Sequence, residues 1–142
     1  MKNFVILILF IGFGMTAQND RHEKIKALKT AFITEQLNLT PSEAQKFWPI
    51  YNEHEEKMGA LRQIERKEVF KRIKDGLDEI SDEEANQLIE KVLDVKTKEL
   101  NYDKELVKNL RGVVPPKKII ILKKAEEDFK RKLLDRYKNK KN

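Results

Sequence analysis

The chain has no cysteine among its 142 residues. That excludes disulfide staples, thiolate metal sites and cysteine nucleophiles, so packing alone must hold the fold. Serine is nearly as scarce, and both serines, Ser42 and Ser81, stand where helices are expected to begin. The two histidines, His22 and His54, fall on different predicted helices, and the sequence contains no HExxH pair, no GxSxG elbow and no phosphate-cradling glycine loop. With no nucleophile and base to pair, an enzyme is not expected, and no cofactor is implied. Five glycines and four prolines leave little material for turns, while 38% of residues are charged. That balance is the composition of long, solvent-facing helices.

Long apolar runs are missing except at one place. Residues Phe4 to Ile11 are unbroken apolar, preceded by Lys2 and followed by Ala17 as a small cleavage residue. The run is too short for a transmembrane helix, which needs roughly 20 apolar residues, and fits a secretory signal over 1–17. The expected product is a single domain over 18–142, exported to the periplasm, with an uncleaved N-terminal anchor as the alternative. The positive charge is concentrated: residues 117–142 hold 11 basic and 4 acidic side chains. In an exported protein the polyanions within reach are lipid headgroups, lipopolysaccharide and acidic polypeptides rather than nucleic acid. The plain alternative is a solvated basic face ending in a frayed tail, Tyr137 to Asn142.

Start and stop signals place four helices. The first runs from about Arg21 to Leu37, with Asp20 as N-cap and Ile25, Leu28, Phe32 and Leu37 on one side. Thr40, Pro41 and Glu43 open the second as cap, first helical residue and capping-box partner. Ser81 and Glu84 repeat the device for the third, which ends near Arg111 before Gly112, and Pro115-Pro116 opens the fourth. The second and third helices are each about 30 residues, or about 45 Å, long. Their seams step by three and four through Ala44, Phe47, Tyr51, His54, Met58 and Leu61, and through Ala85, Leu88, Val92 and Val95, then Tyr102, Leu106 and Leu110, with Glu99 out of pattern. Pro49 predicts a bend near Trp48. Together these signs predict an all-α fold of four helices with a long kinked hairpin, either extended or closed into a curved, dimer-stabilised bundle.

Some side chains have two readings. Phe47, Trp48 and Tyr51 share a face and suit core packing, or a strip that receives another polypeptide. Ile119-Ile120-Ile121-Leu122 carries more apolar surface than one seam can bury. His54 in the seam suits a buried histidine with a hydrogen-bond partner, or a pH-sensitive contact. His22 and His54 are weak metal candidates, lacking the short ligand spacing of a structural zinc site.

The segment Leu39-Thr-Pro-Ser-Glu-Ala-Gln-Lys-Phe-Trp-Pro-Ile-Tyr51 recurs in type 41 residues later, at Ile80-Ser-Asp-Glu-Glu-Ala. It resembles the LTxxQ helical proteins of the Gram-negative periplasm, the Spy/CpxP group of refolding chaperones and stress regulators. Relatives of that group include zinc-resistance-associated proteins, periplasmic heavy-metal sensors and sensors of ECF-type sigma factors. The likeness extends through Val113-Val-Pro-Pro-Lys-Lys to Phe129. In this chain four residues separate Thr40 from Gln45, and the second copy has Asn86 at the glutamine position. The motif positions are thus Leu39, Thr40, Glu43, Gln45, Ser81 and Glu84. The resemblance implies an antiparallel homodimeric cradle that binds unfolded envelope proteins without ATP, or a partner-specific regulator, or a heavy-metal sensor. Candidate client contacts are Trp48, Ile121 and Phe129 with Lys123, Lys124, Lys130 and Arg131, and contact with a membrane surface is a remoter possibility.

Overall fold

The computed structural model describes residues 16–141, so the apolar run Phe4–Ile11 and most of the expected signal lie outside the described residues. Helix α1 spans Thr16–Leu37. It starts upstream of Asp20, which is therefore a helical residue and not an N-cap. No glycine or proline lies between Met15 and Asp20 to stop the helix from extending back. At its other end Asn38 takes a left-handed φ of 47°. The Asn38 and Leu39 amides there donate to the carbonyls of Glu35 and Thr34, at 3.1 and 3.3 Å. Asparagine is the residue that best tolerates this conformation after glycine, and it closes the helix carbonyls that would otherwise be orphaned.

Helix α2 covers Pro41–Ile64 and continues without a break through a π-helical segment, Glu65–Phe70, into α3, Lys71–Gly76. The Lys71 amide donates back to the Arg66 carbonyl, five residues away, in place of the usual four. This wide turn was not expected from sequence. It inserts one residue into the spiral, and Val69 within it, with Ile73 and Leu77 beyond, still faces the returning helix. A 3₁₀ turn at Leu77–Glu79 and the cap at Ser81 then lead into α4, Asp82–Leu110, and Pro116 starts α5, Pro116–Asn139. The expected frayed tail is therefore helical as far as Asn139. With α2, the π segment and α3 counted as one rod, the described residues form four helices and no strand, the all-α fold read from the sequence.

The four rods pair two by two, α2 with α4 and α1 with α5. All four meet at one end of the molecule. There Ile33 and Leu37, Phe47 and Tyr51, Leu106 and Leu110, then Val114, Ile119, Leu122 and Ala125 form one buried cluster. The α2 and α4 seams hold in their middle and basal members, with Phe47, Tyr51, His54 and Leu61 buried on one and Val95, Leu106 and Leu110 on the other, while Ala44, Met58, Ala85, Leu88, Val92 and Tyr102 are only half-buried. Glu99 tolerates its seam position by pairing with Lys96 at 3.0 Å. On α1 the expected stripe is displaced. Leu28 is 46% exposed, while Ile33, left out of that stripe, is fully buried. Of the expected stripe, Leu37 is buried in the shared core and Phe32 packs 5.8 Å from the Phe129 ring of α5, while Leu28 faces outward. The isoleucine run divides as its excess suggested: Ile119 and Leu122 are buried, while Ile120 is 72% exposed.

Removing a ring from the shared cluster should cost far more than trimming the misassigned face. Phe47→Ala is expected to lose about 3–5 kcal/mol. Leu28→Ala is expected to stay within about 0.5 kcal/mol of the parent. Urea denaturation followed by circular dichroism separates the two, and equal losses would contradict the placement of the core.

Candidate functional site

The motif positions occupy the turn between α1 and α2 and serve structure there. The Glu43 amide donates to Thr40 Oγ1 and the Thr40 amide to Glu43 Oε1, both at 3.1 Å, which closes the capping box. Lys118 from α5 adds a third tie, donating to the Asn38 carbonyl at 2.9 Å and to Glu43 Oε1 at 2.7 Å. Leu39 packs against the core cluster, and Gln45 is exposed. The second copy of the motif departs from the first. Ser81 Oγ accepts from the Glu84 amide at 3.1 Å, but the Glu84 carboxylate turns away from the cap to hold the Arg72 guanidinium in a two-point pair. A fork-shaped cation outcompetes a single backbone amide for a carboxylate, so only half of the expected box forms.

His54 is buried in the α2–α4 seam, with Nε2 2.9 Å from Asp103 Oδ1. Its Nδ1 has no hydrogen-bond partner, and the closest carboxylate oxygen to it, Glu55 Oε1, is 3.8 Å away. This is the buried, partnered histidine of the first reading. His22 is exposed on α1, and the described residues bring no three His, Asp or Glu side chains together in a way that could hold a metal ion.

The expected client contacts separate on inspection. Phe129 is buried against Phe32 and is therefore a packing residue, because the α1–α5 interface needs its ring. Trp48 is half-buried, edge-on to Phe47 and Tyr51 at 5.0 and 5.5 Å, and Ile121 is half-buried against the same cluster. Three of the four basic candidates are engaged within the molecule. Lys124 and Arg131 both reach Asp128, holding its carboxyl below the usual range with Lys124 the stronger influence, and Lys123 lies 3.8 Å from Asp103. Lys130 is exposed beside a cleft of about 550 Å³ between α1, α2 and α5. That cleft is lined by charged side chains of both signs around an apolar floor, and part of the charge is paired within it: Lys29 pairs with Glu55 at 2.8 Å, and the Tyr51 hydroxyl donates to Glu126 at 2.9 Å. Burial and the neighbouring carboxylates push the Tyr51 phenol far above its ordinary value, so it remains a donor.

The unsatisfied surface lies elsewhere, on the distal half of the α2–α4 hairpin. A groove of about 320 Å³ opens between the two rods, lined by nine aliphatic side chains that include Val69, Ile73, Ile80, Leu88 and Val92. Its rim is apolar as well: Leu77, Ile89 and Leu93 line it and are each more than half exposed, and Phe70 and Leu100 are similarly exposed on the same two rods. The sequence carried a sign of this. Leu88-Ile89 and Val92-Leu93 are adjacent pairs four residues apart, which makes two apolar stripes where one helical neighbour can cover a single stripe. An exposed apolar area of this kind marks an interaction surface. It offers shape and apolar contact and no group that could act as a nucleophile. Comparison of the chain with known proteins found no matching family model, no matching curated protein and no matching solved structure.

The tie at the α1–α2 turn has a pH signature. The Lys118 hydrogen bond, then the Thr40 amide, hold the Glu43 carboxyl below its ordinary 4.5. A depressed folded-state value means that the stabilisation is complete above the unfolded-state value and is lost as pH falls through the lower, folded one. Lys118→Met should therefore lower the urea midpoint at neutral pH, with the gap to the parent narrowing at about pH 3. A gap that stays constant across that range would remove Glu43 as its source.

Proposed function

We propose that this protein is an exported, periplasmic, non-enzymatic binding protein that holds exposed apolar stretches of other polypeptides without ATP. In this reading it is a chaperone-like or envelope-stress protein of the Spy/CpxP kind, working as a homodimeric cradle. The observation that carries the proposal is the aliphatic groove on a highly charged helical arm. Charge keeps the molecule soluble while leaving an apolar face free, and helical hairpins offer such a face along a length suited to extended or helical segments. Weak, adaptable aliphatic contacts also suit a binder with more than one client, because they impose little directional requirement. One feature favours a narrower version, a regulator with a single envelope partner: the free apolar surface is concentrated on one arm rather than dispersed around the molecule. The candidate contact set accordingly moves from Phe129 and the α5 lysines to Leu77, Ile89 and Leu93.

Purified protein at near-stoichiometric amounts is expected to suppress light scattering from two unrelated unfolding proteins in the absence of ATP. The double variant Leu77→Ser, Leu93→Ser should lose most of that protection while keeping its helical circular dichroism. Failure of the parent to protect either protein would reject the chaperone reading, and retrieval of one specific partner by crosslinking would then favour the regulator.

A further inference from the structure

The turn end of the groove is acidic, while Lys71, Arg72 and Lys74 on α3 and Lys91 on α4 flank its sides. Between residues 75 and 90, which form the end of α3, the turn and the first part of α4, the chain carries seven carboxylates and no lysine or arginine. Two of the seven are already paired, Asp75 with Lys71 and Glu84 with Arg72. The other five, Asp78, Glu79, Asp82, Glu83 and Glu90, belong to no ion pair among the described residues and are exposed. The free end of the hairpin is thus an aliphatic trough with an acidic margin, in a chain whose formal net charge is +6.

This charge pattern selects the occupant. Two hairpin ends cannot dock on each other through this region, because like charges brought face to face cost several kcal/mol. A second copy could in principle offer its basic α5. The apolar side of α5, however, is committed to its own core through Ile119, Leu122, Ala125 and Phe129. What α5 leaves outside is mainly lysine and arginine with only Ile120, Leu134 and Tyr137 as exposed large apolar side chains, and Ile120 and Leu134 are 14 positions apart. At 1.5 Å per residue that is about 21 Å, too sparse to fill one trough. A foreign segment has no such constraint.

Resting on the reading of this groove as a polypeptide-binding site, we infer that its preferred ligand is a cationic amphipathic segment: several aliphatic or aromatic residues on one side, with lysine or arginine beside them. The apolar side enters between α3 and α4, as a helix enters a groove. The basic residues meet the five unpaired carboxylates at the rim, where long lysine and arginine stems can lie along apolar surface while their charges stay in water. Contacts of this type add specificity and speed of encounter, and they weaken with salt.

The test uses two fluorescent amphipathic peptides of equal length and identical leucine positions, one with lysine and the other with glutamate at every polar position. Their binding to the purified protein is read by anisotropy at low and high salt. The lysine peptide is expected to bind at least about tenfold more tightly at low salt, with the margin shrinking at high salt. This outcome runs against the net charge of the protein, so it cannot arise from general attraction. The triple variant Asp78→Lys, Glu79→Lys, Glu90→Lys alters exposed, unpaired residues and should abolish or reverse the preference. Ile89→Ser should weaken both peptides. Equal binding of the two peptides, or preference for the glutamate peptide, overturns the inference, as does a lysine preference that survives the triple variant. Binding of neither peptide also overturns it, and protection of unfolding proteins in the scattering assay would then show that the broader function stands without it. A dimer of the parent that dissociates in the triple variant would assign the groove to a second copy and overturn the choice of a foreign ligand.

Discussion

The geometry of this molecule follows from where its apolar burial is concentrated. Two helices packed side by side can hide one stripe each, and a third or fourth neighbour is needed to cover anything broader. Here all four rods share a core at one end only, around Leu37, Phe47, Leu110 and Leu122. Lys118 strengthens that end by joining α5 to the α1–α2 turn. Toward the other end the α2–α3 rod and α4 have chiefly each other, and their second apolar stripes remain in water. A well-buried base and an open arm are therefore two consequences of the same distribution of side chains.

The π-helical segment fits this arrangement. An uninterrupted α-helix of the length from Pro41 to Gly76 drifts steadily relative to a partner, so an apolar face aligned at Phe47 and Tyr51 would not stay aligned some 25 residues later. The extra residue accommodated between Glu65 and Phe70 adjusts the rotation where α2 passes into α3, and Val69 is buried there against α4 while Ile73 and Leu77 line the groove. Arg72 and Glu84 then clasp the two rods close to the turn. The groove is held by rigid helical elements, which suits a surface meant to remain available rather than to collapse.

The division of charge gives the two ends different characters. Basic residues on α5 are partly neutralised by carboxylates of the same helix and of α4, whereas most of the acids at the hairpin turn are unopposed. An apolar surface without charge would aggregate, and one whose free end is acidic is disfavoured from docking on the same end of its own copies while remaining attractive to cations. The activity proposed for the arm is a reversible hold on another polypeptide, and it sits on a different surface from the contacts first expected. Of those first contacts Phe129 is buried in the fold and Trp48 and Ile121 are half-buried, while the basic side chains stay at the surface.

Much of this architecture is legible in the sequence. Thr40-Pro41-Ser42-Glu43 encodes a helix start within four residues, and the capping box formed as read because all its partners are local. The seams of α2 and α4 were legible for the same reason, since spacing along one helix is a property of the chain itself. Three features required the tertiary structure. The face of α1 that is buried depends on where α5 lies, which turned Ile33 inward and Leu28 outward. The Glu84 carboxylate chose Arg72, 12 residues away, over its own cap. Whether Phe129 or Leu93 is free depends on which helix stands opposite. Local sequence determines what each segment can bury, and only the assembled neighbours decide which of those surfaces are covered, because burial is a property of pairs of elements.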